Sequence, residues 1–527
     1  MHVFLVQYLI MNLISVFSIY LFYFLGSVSV SKVSFLDSDG NDEKYRPAFH
    51  FTPDSMWMND PNGLVFYKGE YHLFYQFHPK SNVWGPMHWG HAVSKDLIQW
   101  QHLPIALYPD SLGYIFSGSA VIDWENTSGF GTKENPPMVA IFTYHNAEKE
   151  QLGTNDFQTQ GIAYSIDHGR TWEKYAANPV IPNNNHRDFR DPKVIWHPAT
   201  KKWIMVLAVK DKAMFYASSD LKSWTFESEY GLKNEKRLWE CPDLFPIKVS
   251  GTNETKWVLV VSMQSGAPNG GTGTSYFVGD FDGHRFTNSQ SDNKQYWLDS
   301  GTDNYAMVSW SDLPATDGRK LMLGWMSNWQ YAQQVPTKRW RSAMTLPREV
   351  TLVKTADNEW KLKSKVVNEF SSTRKDKIST PQDKITGNKC MLINQSPLIC
   401  ESLITIDRSK CKESFQILIT STSNDSLMIG YDPSGNNYFI DRRKAGISEF
   451  NPLFAAKHMT PCLSKDQLLK LHLLVDKTSV ELFTDDGLTV MTDIFFPKSE
   501  MNKIEILSNN LPELLKENTV YTLYSKR

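Results

Sequence analysis

The run YHLFYQF at residues 71–77 sets the pattern of this 527-residue chain. It is a short, strongly apolar and aromatic segment of the kind that forms a buried β-strand. Four similar runs follow in order: MVAIFTY (138–144), KWIMVLA (202–208), KWVLVVS (256–262) and KLMLGWM (320–326). Their starts lie roughly 55–70 residues apart, somewhat longer than common propeller repeats. A strand that recurs at such an interval indicates a chain built from repeated sheets.

Each of these runs belongs to a larger repeated unit. A second strand candidate precedes each run: DPNGLVFY (60–67), SGSAVIDW (117–124), DPKVIWH (191–197), ECPDLFPI (240–247) and DNYAMVSW (303–310). Five rounds of the same strand series predict the five blades of a β-propeller, in which ring closure removes exposed sheet edges. The alternative is a pair of large sandwiches with accidental periodicity. Long amphipathic helices are scarce, so the predicted class is all-β in either case.

The character of the sequence changes after about residue 355. A polar, charged segment is followed by alternating strands such as SFQILIT (414–420) and LKLHLLVD (469–476), which predict an antiparallel β-sandwich. We therefore expect a propeller over residues 46–356, a linker over 357–370 and a sandwich over 371–527. The sandwich segment contains no motif that would carry chemistry.

The N-terminal segment predicts export. Residues 3–25 form an apolar run, and the small-residue stretch GSVSVS (26–31) follows. This pattern is typical of a secretory signal, here residues 1–30, with a polar lead-in over 31–45. The alternative is a retained membrane anchor, because the run reaches the roughly 20 residues that span a bilayer and no Lys or Arg precedes it.

Composition agrees with a secreted protein and argues against a polyanion-binding surface. The formal charge of −2 and the pI near 6.7 argue against a nucleic-acid partner. Four Asn-x-Ser/Thr sequons, which mark exposed loops in secreted chains, begin at Asn126, Asn253, Asn394 and Asn424. Of the five cysteines, four lie in the last third and permit three pairings, among which the sequence does not choose.

Three acids stand at the entrances of the predicted first strands, which in a propeller line one central axis. They are Asp60 in NDP, Asp191 in RDP and Glu240 in ECP, and in each motif a proline follows within two residues. Proline suits the first residues of a strand because it fixes φ and donates no hydrogen bond. Taken singly, each motif has an ordinary explanation as a turn, a local ion pair or a solvated strand end. Three at equivalent positions of one repeat predict a shared carboxylate site.

Carboxylates confined together are what glycosidic cleavage requires, because one attacks the anomeric carbon and another donates a proton to the leaving oxygen. Glu240 lies between Trp239 and Cys241, an apolar setting that favours the neutral acid. By contrast, the neighbouring guanidinium of Arg190 favours the ionised form of Asp191. These settings predict Glu240 as the acid and the two aspartates as anions.

Aromatic side chains fit a sugar site, since sugars present apolar C–H faces that stack on rings. The candidates are Trp57, Trp84, Trp89 and Trp325. Most tryptophans are core residues, and Trp84 is the best candidate because it lies in a Gly/Pro-rich loop. A metal site is not expected: His88 and His91 are three residues apart, which places them on opposite faces of a strand. The glycine-rich NGGTG (269–273) lacks the strand–helix context of a phosphate site.

The motifs WMNDPNG (57–63), FRDP (189–192) and ECPD (240–243) resemble those of the secreted β-fructofuranosidases of glycoside hydrolase family 32. That family includes invertases, levanases and exo-inulinases, and the likeness extends to GWMSNWQYAQQVPTKRWRSAMTLPRE (324–349) and LHLLVDKTSVELF (471–483). The resemblance implies a five-bladed propeller followed by a sandwich. The chain departs from the family in two small respects. Ser300 in LDSGTD stands where relatives often have an aromatic residue, and the usual Asp-Arg-Ser motif appears only as DRRKAG (441–446), which argues against a carbohydrate contact there.

The resemblance also implies roles for individual residues. Asp60 would be the nucleophile, Glu240 the acid/base and Asp191 the stabiliser of the transition state. The fructose would be held by Asn59, Gln76, Trp84, Ser117, Arg190 and Tyr305, with Cys241 tuning the acid. No cofactor or metal is implied.

We therefore expect a retaining exo-β-fructosidase that acts on sucrose or fructans, with nucleophile and acid about 5–5.5 Å apart. One alternative is a fructosyltransferase with the same nucleophile and a sugar as acceptor. The other is a carbohydrate-binding protein without catalysis, which should lack at least one of the three acids. A membrane is a partner only if the N-terminal segment is retained.

Overall fold

Strands make up nearly all the regular structure in the computed structural model, which describes residues 43–291, 294–379 and 385–524. The described helices are short: α1 (Ala147–Gln151) and α2 (Leu511–Leu514), with 3-10 turns at Glu43–Tyr45, Asn368–Thr373, Arg408–Lys410 and Asp485–Gly487. The predicted all-β class is confirmed. Residues from Lys44 onward form one compact unit.

Five antiparallel sheets follow one another along the chain. The first sheet contains β1 (Met56–Tyr67), β2 (Glu70–His78), β3 (His88–Ser94) and β4 (Gln101–Leu107). The second contains β5 (Tyr114–Ile122), β6 (Met138–His145), β7 (Gln158–Ser165) and β8 (Glu173–Lys174). The third contains β9 (Phe189–His197), β10 (Lys202–Val209), β11 (Lys212–Ser218) and β12 (Thr225–Gly231).

The fourth and fifth sheets contain five strands each. The fourth contains β13 (Trp239–Lys248), β14 (Thr255–Met263), β15 (Gly273–Phe281), β16 (Phe286–Asn288) and β17 (Tyr296–Trp297). The fifth contains β18 (Tyr305–Ser309), β19 (Lys320–Met326), β21 (Ala343–Met344), β22 (Arg348–Lys354) and β23 (Trp360–Val366). Strand β20 (Trp340–Arg341) lies between β19 and β21 in the sequence but pairs with β1 in parallel, as the fifth strand of the first sheet. This pairing joins the fifth sheet to the first.

The first strand of each sheet, which we call a ring strand, contacts the ring strands of two other sheets. The contacts run β1–β5–β9–β13–β18 and return to β1. Apolar clusters lie between successive sheets; Val65 and Ile115, for example, share one cluster between the first and second sheets. The predicted apolar runs are β2, β6, β10, β14 and β19, the second strands of the five sheets. Their strict burial follows from a sheet that is covered on both faces.

The segment predicted as a linker, residues 357–370, contains β23. This strand pairs with β22 along its whole length, and Trp360 and Leu362 are buried against the fourth sheet. The fifth sheet therefore continues to Val366, beyond the boundary predicted at residue 356. Its alternating residues Lys361, Lys363 and Lys365 gave the segment the polar look of a linker.

The remaining strands form two six-stranded antiparallel sheets. One has the order β24 (Arg374–Ser379), β35 (Leu515–Leu523), β26 (Cys400–Asp407), β31 (Leu468–Val475), β32 (Ser479–Thr484) and β33 (Thr489–Ile494). The other has the order β25 (Lys389–Asn394), β34 (Met501–Leu507), β27 (Phe415–Ser421), β28 (Ser426–Asp432), β29 (Asn437–Lys444) and β30 (Lys457–Pro461). A single apolar core is shared by the two sheets, with Leu473 from one and Ile417 from the other.

All five cysteines are free and buried, so none of the three disulfide pairings left open by the sequence is formed. The predicted signal, residues 1–30, and the lead-in up to residue 42 lie outside the described residues. Within the described part of the chain, no helix has the length and apolarity needed to cross a bilayer.

Candidate active site

A β-bulge interrupts every ring strand beside a residue predicted for the site. In β1 the register slips between Met58 and Pro61, so that two residues, one of them Asp60, face a single residue of β2. Corresponding slips occur in β5, β9, β13 and β18. A bulge bends its strand and re-aims a side chain. Five bulges at one end of a ring of strands direct several side chains toward one point.

The backbone corrects the predicted equivalence of the three acids. Asp191, Cys241 and Ala306 share a left-handed conformation, with φ of 63°, 44° and 52°. Cys241, rather than Glu240, therefore occupies the position of Asp191 in its strand, and Glu240 lies one residue earlier. The proline that directly follows Asp191 and Cys241 was the sequence signal for this alignment. Glu240 therefore pairs with β14 just before the bulge of its strand, whereas Asp191 lies within the bulge of β9.

The bulged ends of the ring strands surround a cavity of about 270 Å³. Eight predicted residues line it: Asn59, Asp60, Gln76, Trp84, Ser117, Arg190, Asp191 and Glu240. The three acids are therefore brought together around one small space. Cys241, Tyr305 and Trp325 do not line the cavity.

Asp60 is buried at the base of this cavity. Its Oδ2 accepts a hydrogen bond from Ser117 Oγ at 2.7 Å and from the Cys241 thiol at 3.4 Å. Its Oδ1 is buried and has no hydrogen-bond partner among the described residues. Burial raises the pKa of Asp60; the hydrogen bond from Ser117 opposes this rise and the charge of Glu240 adds to it. One oxygen is thus held in place, and the other is left for a ligand.

Asp191 shares the thiol with Asp60. The Cys241 backbone N–H donates to Asp191 Oδ2 at 2.9 Å, and the thiol lies 3.7 Å from the same oxygen. Burial raises the pKa of Asp191 to about 7, although the guanidinium of Arg190, 3.9 Å away, acts in the opposite direction. The charges of Glu240 and Asp60 contribute to the rise. The site therefore holds more negative charge than its single arginine neutralises.

Glu240 is surrounded by polar donors rather than by the apolar setting that its sequence neighbours suggested. Arg190 donates to Oε1 from Nε at 3.2 Å and from a terminal nitrogen at 3.0 Å. Tyr305 and Gln264 donate to Oε2 at 2.5 and 3.0 Å. Trp239 is fully buried and stacks on a phenylalanine of the next strands instead. The donors come from two other ring strands and from the residue that follows β14, and local sequence does not reveal these contacts.

Two predicted residues that do not line the cavity still touch the acids. Burial, together with the charge of Glu240, keeps the pKa of Tyr305 well above its usual value, so the phenol remains a donor. Burial and the charges of Asp60 and Asp191 likewise keep the pKa of the Cys241 thiol well above its usual value, so the thiol stays protonated. Both act by orienting a carboxylate rather than by contact with a ligand.

The aromatic candidates divide sharply by exposure. Trp84 is 37% exposed at the cavity wall and packs edge-on to Phe116. Trp57, Trp89 and Trp325 are completely buried. The predicted sugar contact of Trp325 is therefore wrong for this structure; Trp325 and Trp57 instead support Trp329, whose centroid lies 4.9 and 5.8 Å from theirs.

Sequence reasoning did not assign seven further residues of the cavity: Phe116, His145, Glu150, Gln158, Asp188, Gln264 and Trp329. Asp188 accepts from Arg190 at 2.9 Å and helps to fix the guanidinium. The ring of His145 stacks on Phe116 at 4.2 Å, and burial lowers the pKa of His145 to about 4. Only Phe116 carried a signal, since it belongs to the FSG entrance of the second ring strand. The described residues contain no cluster of three or more side chains suited to a metal ion.

Comparison with known proteins assigns the chain to a family. The model of the glycosyl hydrolases family 32 N-terminal domain matches residues 50–365, and the model of the family 32 C-terminal region matches residues 362–522. The levanase of Bacillus subtilis (strain 168) is 47% identical over 494 residues, which cover 92% of this chain and 72% of the levanase.

Two further relatives agree with this assignment. The extracellular exo-inulinase of Aspergillus awamori is 36% identical over 499 residues, covering 87% of this chain and 91% of that protein. The structure of β-fructofuranosidase from Schwanniomyces occidentalis complexed with fructosyl-erythritol has a TM-score of 0.82 and 34% identity, covering 93% of this chain and 99% of that one. This chain belongs to glycoside hydrolase family 32.

Proposed function

We propose that this protein is a retaining, exo-acting β-fructofuranosidase that releases terminal non-reducing fructose from fructans and sucrose. The observation that carries the proposal is the convergence of Asp60, Asp191 and Glu240 on one cavity of about 270 Å³. A space this small suits one sugar unit at a chain end better than the interior of a chain. Relatives named levanase, exo-inulinase and β-fructofuranosidase support fructosides as the substrate class.

Asp60 is the proposed nucleophile. Its Oδ2 is fixed by Ser117 and Cys241, while Oδ1 has no partner among the described residues and can attack the anomeric carbon. The C–O bond to the leaving group breaks as the Asp60–carbon bond forms, which gives a covalent fructosyl-enzyme. Water then cleaves this ester and restores the carboxylate. Two displacements at the same carbon give net retention.

Glu240 is the proposed acid/base. It donates a proton to the leaving oxygen in the first step and accepts one from water in the second. Tyr305 and Arg190 hold its two oxygens in place. Asp191 is the proposed stabiliser of the transition state: it would accept hydrogen bonds from fructose hydroxyls and stabilise positive charge that develops at the anomeric centre. Trp84 and Trp329 are the exposed and half-exposed rings available for the leaving sugar.

The five sheets support the proposal that residues 46–366 form a five-bladed β-propeller. The closed order of contacts among the ring strands and the return of β20 to β1 are the reasons. The two six-stranded sheets that share one core form the proposed C-terminal β-sandwich. Secretion stays part of the proposal, since the exo-inulinase relatives are named extracellular.

The test is the Asp60→Asn variant, assayed for fructose release from sucrose, inulin and levan. Loss of the nucleophile should lower kcat by about 10⁴-fold or more, with an unchanged fold by circular dichroism. The exposed-loop variant Asp282→Asn is the matched control and should keep wild-type rates. Substantial fructose release by folded Asp60→Asn protein would refute the assignment.

The stereochemistry and the acceptor are tested separately. Proton NMR of the first product should show the β-anomer before mutarotation. Product analysis at high sucrose distinguishes hydrolysis from transfer, since fructans longer than the substrate would identify a fructosyltransferase that uses the same nucleophile.

A further inference from the structure

Exposed tryptophans occur at only two places in this protein. Of its 17 tryptophans, all within the described residues, three are exposed: Trp84, Trp124 and Trp196. Trp84 lies at the catalytic cavity. Trp124 and Trp196 are 53% and 38% exposed and both line a second cavity. Exposed tryptophan is costly for a soluble protein, so two such rings at one cavity call for a ligand.

The second cavity has a volume of about 960 Å³, more than three times that of the catalytic cavity. It is lined by the last residues of four ring strands, including Ile122, Trp196, Ile247 and Ser309, whereas the catalytic cavity lies at the bulged beginnings of these strands. The two cavities share no lining residue. It is therefore a separate site at the other end of the ring strands, at the upper end of the size range of small-ligand pockets, ~300–1,000 Å³.

The exposed rings are held by the protein rather than left free. Asp312 accepts a hydrogen bond from Trp124 Nε1 at 2.9 Å and another from the Ile122 backbone N–H at 2.9 Å. Trp196 packs edge-on to buried Trp203 at 5.1 Å. Because these rings are already fixed, they lose little conformational entropy when a ligand stacks on them, which favours binding.

A buried polar group without a protein partner lines the same cavity as these rings. The Ser311 hydroxyl is buried and has no hydrogen-bond partner among the described residues. The Lys320 ammonium also belongs to the lining and lies 4.8 Å from the Phe245 ring centroid. Buried polar groups normally have partners. A ligand rich in hydroxyl groups would supply one for Ser311, whereas a purely apolar ligand would not.

We propose that this cavity is a second, non-catalytic binding site for a fructan chain. Fixed tryptophan faces and an unpartnered hydroxyl in one cavity match the C–H faces and hydroxyl groups of an oligosaccharide. The cavity has room for several linked units, unlike the catalytic cavity. The inference rests on the proposed function, because it takes the substrate to be a polymer of fructose. A chain held here would raise the local concentration of its ends near the enzyme.

Affinity electrophoresis in gels that contain levan or inulin tests the site directly. Asp60→Asn protein, in which hydrolysis is blocked, is compared with the same protein carrying Trp124→Ala and Trp196→Ala. We expect the two tryptophan substitutions to raise the Kd for the polymer about tenfold. Asp60→Asn with Phe226→Ala is the matched control, since Phe226 is 51% exposed and lines neither cavity. The control should migrate as Asp60→Asn alone.

Kinetics of the otherwise unchanged enzyme separate the two sites. Trp124→Ala/Trp196→Ala should leave kcat/KM on sucrose within twofold and lower kcat/KM on the polymer about three- to tenfold. A polymer Kd that stays within twofold in the double variant, or that rises equally in the Phe226→Ala control, overturns the proposal. Absence of fructose release from every substrate would refute the proposed function instead. The gel assay would still decide whether this cavity binds the polymer.

Discussion

Replacement of Asp191 by asparagine should stabilise this protein at neutral pH and not at acid pH. The side chain is buried, and its pKa is raised from 3.8 to about 7. Because the folded state binds this proton more tightly than the unfolded state, its stabilising contribution is complete below pH 4 and is lost as the pH rises toward 7. Asparagine is neutral at every pH and similar in shape, so the variant escapes the loss.

The magnitude follows from the shift. About three pKa units at 1.36 kcal/mol each amount to about 4 kcal/mol above pH 7, an upper value for a site that can relax. Melting of the residues from Lys44 onward, about 480 in number, has an entropy near 1 kcal/mol per kelvin. We therefore expect the Tm of Asp191→Asn to match the wild type at pH 4 and to exceed it by about 2–4 °C at pH 8.

Differential scanning fluorimetry from pH 4 to 8 at one scan rate is the assay. Asp110→Asn is the control with the opposite sign. Burial acts to raise the pKa of Asp110, but the hydrogen bond from Lys174 and other donors outweigh it and lower that pKa. The stability that this ionised carboxylate contributes is lost only as the pH falls below about 4, so Asp110→Asn should have a lower Tm than the wild type by an amount that stays constant from about pH 5 to 8. A Tm gain for Asp191→Asn that is constant from pH 4 to 8 would refute the argument that burial raises the pKa of Asp191 in the folded protein.

Two further substitutions test the residues that support the site. Tyr305→Phe removes the 2.5 Å hydrogen bond to Glu240 and should lower kcat about 10- to 100-fold with little change in KM, measured from pH 4 to 8; an unchanged kcat and pH profile would show that the phenol does not position the acid. Arg442→Met leaves the carboxylate of Asp303 buried and unpaired, and should cost about 3–5 kcal/mol in urea unfolding. Its neighbour Arg443, which is exposed, is the control, and Arg443→Met should leave the unfolding midpoint unchanged; equal losses in the two variants would contradict the argument.

The parts of the fold that sequence predicts best are those whose cause is local. The second strand of each sheet is apolar on both faces because neighbouring sheets cover it, and so YHLFYQF and its counterparts stand out. Strand β23 escaped notice because lysines alternate along it, and its burial depends on contacts with the fourth sheet. The free cysteines could not be foreseen either, since pairing depends on positions in the folded sheets.

The same distinction between local and long-range causes applies to the site residues. Asp60, Asp191 and Glu240 could be found because each stands in a short motif at the start of a ring strand. Their surroundings could not, because Arg190 reaches Glu240 across 50 residues of sequence and Gln264 reaches it across 24 residues from beyond the end of β14. Tryptophan gives no local sign of burial, which is why Trp325 was placed in the pocket and lies in the core.

The C-terminal sheets contain none of the proposed catalytic side chains, yet they contact residues that position them. Arg442 of β29 forms a buried ion pair with Asp303 at 2.7 Å, two residues before Tyr305, whose hydroxyl fixes Glu240. Arg348 of β22 pairs at 2.6 Å with Glu481 of the C-terminal sheets. Buried pairs of this kind cost much to separate, because each part alone would retain unpaired charges. The two matched regions of the family therefore act as one folded unit, and the position of Glu240, the proposed acid/base, depends on contacts that begin in the C-terminal sheets.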